Sequence, residues 1–345
     1  MDTYCDLPQL LTLCRDRIQG ELKQFINGDT LPLFDMLRYH MGWQDEHGHP
    51  CHKESGKFVR STLCLLSCHA VGGNTSQILP VAAALELVHN FSLIHDDIMD
   101  TSYERHKRLT VWKLWGQSQA INAGDAMFAL AYLTLLKLKD KGIAEEKILH
   151  SIQMLGGACL EICEGQYLDI DCQKRFTISV DDYLKMVRKK TAALMATSTA
   201  LGAYLGTDDK KMVNCFYEFG EELGLAYQIL DDILGIWGVE ENTGKPVRDD
   251  ILQRKKTFPV VYVFENSKGA DRAELEALYS QESIQDVDMY RVMRILDKLD
   301  VRDYAANFAK RLYQRALERL GAAGLDLSRQ FPLQELAHFL VERNY

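Results

Sequence analysis

Three aspartates, Asp96, Asp97 and Asp100, stand within five positions in the stretch LIHDDIMDTSYERHKR, residues 93–108. They follow an apolar run, ILPVAAALELVHNFSLIH, whose spacing predicts a helix ending near residue 100. A helix C-terminus already carries partial negative charge, so each acid placed there costs about 0.3–1 kcal/mol unless something compensates. Asp96 and Asp100 are four residues apart and share one helix face. Hard carboxylate oxygens at that spacing suit Mg2+, which keeps part of its water shell and completes it with substrate phosphates. The same grammar recurs in LAYQILDDILGIWG, residues 225–238, where Asp231 and Asp232 follow a second apolar run. A solvated acidic turn accounts for one such motif; two in matching contexts point to a bound cation.

Basic residues keep company with these acids. They are Lys57 and Arg60 in GKFVR, Arg105 to Arg108 with His106 among them, Lys189 and Lys190 in RKKTAAL, Lys245 in TGKP, and Lys255 and Lys256 in RKKTFP. Singly each reads as a solvated surface charge. Together, beside metal-holding acids, they can neutralise a diphosphate. Other phosphate devices are missing: there is no GxGxxG, and GVEENTGKP has one residue too many for a Walker loop and Pro after its Lys. HExxH and GxSxG are also missing. The stretch DEHGHPCH, residues 45–52, collects His47, His49, Cys51 and His52, but its spacing fits no structural zinc pattern and it reads as a polar loop.

The elements that must position these groups are helical. Between Pro80 and Pro246 the chain has no proline, and i, i+3, i+4 apolar spacing recurs almost throughout. Helices are expected over roughly 7–26, 31–41, 55–71, 76–100, 117–139, 145–172, 180–205, 208–236, 255–266, 285–320 and 329–343, with a polar loop over 238–254. Ser179 and Asp182 form a capping pattern at the head of the seventh. The reading is an all-α protein, and with no linker or repeat in its 345 residues, a single domain over 1–345. A formal charge of −9 without a basic face argues against nucleic acid. No secretory leader or transmembrane segment is expected, and the nine scattered cysteines read as buried, reduced thiols of a cytoplasmic protein.

In order and spacing, the blocks GK..R, ELVHNFSLIHDDIMD, INAGDAMFA, EGQYLD, KT, YQILDD, TGK and D-x4-KxT make the chain similar to the trans-type isoprenyl diphosphate synthases, or polyprenyl synthetases, over most of its length. The resemblance is to the short-chain type that makes geranylgeranyl diphosphate. It implies a bundle of helices around a deep central cavity, and a homodimer. It implies condensation of an allylic prenyl diphosphate with isopentenyl diphosphate, through ionisation, attack by the isopentenyl double bond and loss of a proton. Asp96, Asp100 and Asp231 would bind Mg2+, with Asp97 and Asp232 in support. Arg105, Lys190, Lys245 and Lys255 would contact the allylic diphosphate. Gln166, Asp169, Thr191 and Gln228 would line the reacting centre. Lys57, Arg60 and His89 would hold isopentenyl diphosphate. Phe91 and Ser92, five and four residues before Asp96, match a C20-type chain-length pattern, with C15 as the alternative.

Two departures stand out. His106 replaces a second arginine that normally helps hold isopentenyl diphosphate, with Lys107 following where Gly is common, and Gly235 replaces the last acid of the second motif. The first rival reading is therefore a terpene synthase on the same fold, which ionises a prenyl diphosphate without elongating it; the retained Lys57, Arg60 and His89 argue against it. A second rival is a catalytically silent regulatory subunit, against which the five intact aspartates argue.

Overall fold

The helical spacing is realised along the chain in the computed structural model, which describes residues 6–28, 30–51, 56–238, 249–281 and 284–342. In order the helices are α1 (Leu7–Ile26), α2 (Pro32–His40), α3 (Val59–Ala70), α4 (Leu79–Met99), α5 (Val111–Trp115), α6 (Gln117–Leu136), α7 (Glu145–Gln173), α8 (Val180–Val187), α9 (Ala193–Gly206), α10 (Lys210–Trp237), α11 (Asp249–Leu252), α12 (Phe258–Asn266), α13 (Gly269–Tyr279), α14 (Asp286–Lys298), α15 (Val301–Gly321) and α16 (Leu327–Val341). The named strands among the described residues are two-residue pieces, β1 (Glu104–Arg105) and β2 (Arg108–Leu109), paired antiparallel. The all-α expectation holds.

The chain divides into two compact units. The first comprises Met1–Cys159, Thr197–Tyr217 and Ala323–Leu333. Its axis is α4, against which α1, α3 and α6 pack. Nearly every α4 residue from Pro80 to Phe91 is buried, as a helix apolar on all faces requires. α6 approaches α4 closely enough that a Cβ on Gly124 would lie 2.3 Å from His95 Nε2, so this position of the INAGDAMFA block has no room for a side chain. The second unit comprises Leu160–Ala196, Glu218–Ala322 and Gln334–Tyr345. Tyr183, Ala226, Ile229, Ile233, Phe258, Val261 and Ala305 fill one core in it, and Ile236, Val260, Phe264, Leu275, Val292 and Val301 fill another.

Departures from the expected elements have local causes. The helix expected from 55 starts at Val59, because Phe58 before it is left-handed (φ 51°). That expected from 255 starts at Phe258, because Thr257 is an extended N-cap residue. The single helix expected over 285–320 is two, separated at Asp300, which is left-handed (φ 47°). α5, α13 and the β1–β2 hairpin were not expected at all, and α11 lies inside the expected loop, whose residues 239–248 are outside the described ones. The stretch expected as one helix over 180–205 is continuous but contains a π-turn, Arg188–Ala192, between α8 and α9; its Ser179–Asp182 capping box is present. Among the described residues Gln117–Lys141 is long and apolar enough to cross a membrane by length and composition, a test that the core helix of a globular protein also passes. Of the described cysteines, all eight are free thiols, and Cys163 is exposed rather than buried.

Candidate active site

Helix α4 delivers its acids as the sequence predicts: the last turn carries Asp96 and Asp97, and Asp100 is the C-cap. The three carboxylates have different surroundings. Asp97 is buried, Asp96 is half-buried and Asp100 is exposed. Asp97 accepts from Arg105, with Oδ1 3.0 Å from Nε and 2.8 Å from an Nη nitrogen. Burial raises the Asp97 carboxyl above the ordinary carboxylate range, and Arg105 pulls it back. Thus Asp97 anchors Arg105, while Asp96 and Asp100 are the acids nearer solvent. Phe91, one turn and more up the helix, is only 7% exposed; its ring meets His95 edge-on at 5.7 Å and Phe128 of α6 at 5.2 Å, and Phe128 in turn meets Tyr132. Ser92 Oγ donates to the His89 carbonyl.

His89 and Arg60 are neighbours, with Arg60 Nη1 3.3 Å from His89 Nε2. Burial, then Arg60 and Arg105, holds His89 well below its usual pKa, so the imidazole is neutral and the charge belongs to Arg60. Glu86 lies beneath, its Oε2 accepting from Ser61 Oγ at 2.9 Å. His40, which the sequence reading passed over, bonds to Asn90 and is held neutral at about 3 by burial, then by Arg105. His106 and Lys107 are the two turn residues of the β1–β2 hairpin, both left-handed (φ 52° and 59°). This is the position where Gly costs least. Arg108, expected among the phosphate cations, instead donates to the carbonyls of Tyr39 and Gln44 and stacks on the Tyr39 ring at 3.9 Å.

In the second unit the π-turn carries Lys190 and Thr191. α7 passes so near it that a Cβ on Gly165 would be 2.2 Å from the Lys190 nitrogen. Such π-turns cluster at functional sites. Lys190 Nζ meets Asp169 Oδ2 at 2.6 Å, and Lys189 pairs with Glu164 at 2.5 Å. Thr191 Oγ1 donates to Gln228 Oε1 (2.9 Å), whose amide nitrogen donates to Asp232 Oδ1 (2.9 Å). Asp232 is buried; its Oδ2 also accepts from Tyr183 Oη at 2.5 Å and from the Phe258 N–H at 2.7 Å. Burial pushes Asp232 up to about 7 while these donors oppose it. Asp231, next in chain, is exposed. The second motif therefore splits as the first does, one acid turned into the protein to hold neighbours and one outward.

Gly235, the missing last acid, has a spatial explanation. A Cβ there would fall 1.9 Å from Asp250 Oδ2, so Asp250 of the D-x4-KxT block occupies the room that a side chain would need. Lys255 Nζ is 3.5 Å from Asp250 Oδ1. Lys256, expected beside it as a phosphate cation, is buried at 6% exposure among aromatic rings. Lys245 and His52 fall outside the described residues. Lys57 and Gln166 are respectively exposed and buried.

Among the described residues no three His, Cys, Asp or Glu side chains converge on one point as a ready-made metal cage. That fits a hard ion held by one or two carboxylates at a time and finished by substrate phosphates. Asp96, Asp100 and Asp231 have the donor chemistry for it.

Comparison with known proteins gives the family. The polyprenyl synthetase family model matches residues 43–296. The chain is 34% identical over 337 residues (97% of this chain, 92% of the relative) to a (2E,6E)-farnesyl diphosphate synthase of Mycobacterium tuberculosis. It is 43% identical over 248 residues (72% and 69%) to a geranylgeranyl diphosphate synthase of the same organism. The crystal structure of a polyprenyl synthetase from Streptomyces coelicolor superposes with a TM-score of 0.90 at 35% identity, covering 97% of this chain and 100% of that one. A geranylgeranyl pyrophosphate synthase from Corynebacterium glutamicum, crystallised with isoprenyl diphosphate and magnesium, gives 0.83 at 25% identity, covering 99% and 100%. The chain belongs to the polyprenyl synthetase family.

Proposed function

We propose that the chain elongates an allylic prenyl diphosphate with isopentenyl diphosphate, in a Mg2+-dependent ionisation, condensation and elimination, to a C20 product, geranylgeranyl diphosphate. It is a short-chain prenyl diphosphate synthase, a prenyltransferase. The observation that carries the reading is the same division of labour at both acidic helix ends: Asp97 and Asp232 turned inward onto Arg105 and Gln228, Asp96, Asp100 and Asp231 toward solvent. In this reading the chain is a single domain, and the acids of both motifs serve the same reaction.

The chemistry follows from charge. The allylic C–O bond breaks when the leaving diphosphate is stabilised; Mg2+ held by Asp96, Asp100 and Asp231 would supply positive charge there. Lys190 and Lys255, with Lys245, take what negative charge remains, and Arg105 joins them from its seat on Asp97. Lys57 and Arg60 hold the isopentenyl diphosphate; His89, being neutral, orients Arg60, and His106 stands nearby on its turn. The isopentenyl double bond attacks the allylic cation, a new carbon–carbon bond forms, and a proton leaves. Thr191 and Gln228 are fixed by Asp232, and with Gln166 and Asp169 they line the reacting centre. Apolar walls keep water from the cation.

Phe91, backed by Phe128, would be the floor that stops growth at C20. Product mass from the purified chain tests this. A C20 product, lengthened in Phe91→Ala, supports the reading; a C15 end product, or no change in Phe91→Ala, overturns the C20 assignment or the floor. The outward face of α6, with Ile121, Leu133 and Leu136 about half exposed, suits a homodimer interface, which molar mass in solution will test. The reading places the enzyme in the cytoplasm.

A further inference from the structure

A buried lysine lies one residue from a proposed diphosphate ligand, in a chamber of aromatic rings. Lys256 Nζ is 4.0 Å from the Phe264 ring centre, 4.6 Å from Tyr279 and 5.3 Å from Phe176. Among the described residues its ammonium has no hydrogen-bond acceptor. Phe264 and Tyr279 are themselves buried and meet at right angles, 5.3 Å apart. Arg272 straps the chamber together: it donates to the carbonyls of Phe264 and Phe176, and its own Nε pairs with Glu276. The three ring faces stabilise the Lys256 charge by cation–π attraction.

The chamber grips a segment with little other regular structure. Residues 255–257 lie between α11 and α12, outside both helices. Arg254 before them is left-handed (φ 56°) and donates to the Gln281 carbonyl. After them the Phe258 N–H donates to Asp232. Between these two ties the Lys255 N–H donates to the Asp250 carbonyl at 2.9 Å, and the seated Lys256 side chain is a further fixed point. Lys256 is buried while its neighbour Lys255 is half-buried, with its side chain 35% exposed.

We propose that Lys256 is a positioning residue: its ammonium, locked in the Phe176–Phe264–Tyr279 chamber, fixes the backbone from which Lys255 reaches the allylic diphosphate. The inference rests on the reading of Lys255 given above. A methionine at 256 fills the stem's place but loses the attraction to three rings, and Lys255 then samples a wider volume.

Steady-state kinetics on folded variants decide the matter. Lys255→Ala sets the reference by raising KM for the allylic diphosphate. Lys256→Met is expected to raise that KM about tenfold with kcat and the isopentenyl diphosphate KM little changed, as lost uniform binding does. Lys256→Arg, which keeps a cation on aromatic faces, recovers part of the loss. The double variant Lys255→Ala/Lys256→Met is no worse than Lys255→Ala, because Lys256 acts through Lys255. Phe264→Leu, which removes one wall and leaves both lysines, gives the same KM signature and serves if Lys256→Met does not fold. An unchanged allylic KM in Lys256→Met or Phe264→Leu, beside a raised one in Lys255→Ala, overturns the inference. So does a full additional loss in the double variant. An unchanged KM in Lys255→Ala overturns the role of Lys255 itself.

Discussion

Tyr183 donates its buried hydroxyl to Asp232 Oδ2 at 2.5 Å, across 49 positions of sequence. The contact joins α8 to the acidic end of α10 and leaves the second carboxylate motif with one acid fully engaged inside the protein. A buried hydrogen bond to a charged group contributes about 1.5–3 kcal/mol. Tyr183→Phe is therefore expected to lower unfolding stability by about that amount. It should also lower kcat, because Asp232, already pushed up to about 7, loses a donor that holds it down and becomes a poorer acceptor for Gln228. Urea unfolding and single-turnover rates on the variant check both parts.

Restoring the absent acid of the second motif should do harm. Gly235→Asp brings a Cβ to 1.9 Å from Asp250 Oδ2 and sets two carboxylates together. The expected result is destabilisation on the order of 1–3 kcal/mol from overpacking alone, with lower activity. Thermal unfolding and product formation under saturating Mg2+ measure it.

The hairpin turn predicts the opposite. Lys107 has φ 59°, a conformation that costs a non-glycine residue about 1 kcal/mol. Lys107→Gly should raise stability by up to that amount, and chemical unfolding reads it. If Lys107 also stands in for the missing second arginine, the same variant raises KM for isopentenyl diphosphate, which separates the two roles of this one position.

Lys256 gives a pH signature. Burial lowers its pKa from 10.5 to about 8. Between those values the unfolded chain binds a proton that the folded chain does not, so this residue's contribution to stability rises with pH through that window. At pH 7 the buried charge costs stability, and Lys256→Met should be more stable than the parent by on the order of 1 kcal/mol after cation–π attraction is set against desolvation. That advantage shrinks as pH climbs from about 8 toward 10.5. Denaturation midpoints at three pH values test the slope. A variant both more stable and weaker in allylic binding would show that the lysine is kept for function.

The reach of sequence reasoning follows the distance over which each signal acts. The positions of Asp96, Asp100 and Asp231 on apolar helices were legible because acids beside an apolar run are a local anomaly that four or five residues display. The Ser179–Asp182 cap was legible for the same reason. Tyr183 was not: nothing within one turn of it marks it as the partner of Asp232. Lys256 was misread as a second phosphate cation because its neighbour and its charge looked alike, while the rings that enclose it come from positions 176, 264 and 279. Gly235 looked like a loss until Asp250, brought in by the fold, was seen filling the space. The split of residues 285–320 into two helices turned on one left-handed residue, Asp300, which periodicity does not register.

Both aspartate motifs are expected to be needed for Mg2+-dependent prenyl transfer. Incorporation of labelled isopentenyl diphosphate into a longer chain by the purified protein, with an allylic primer, measures that most directly. The account predicts label in a prenyl diphosphate with Mg2+ present, none in excess chelator, and a loss of about a hundredfold or more in Asp96→Asn and in Asp231→Asn alike. Full incorporation in chelator, or normal rates with either aspartate neutralised, would contradict it.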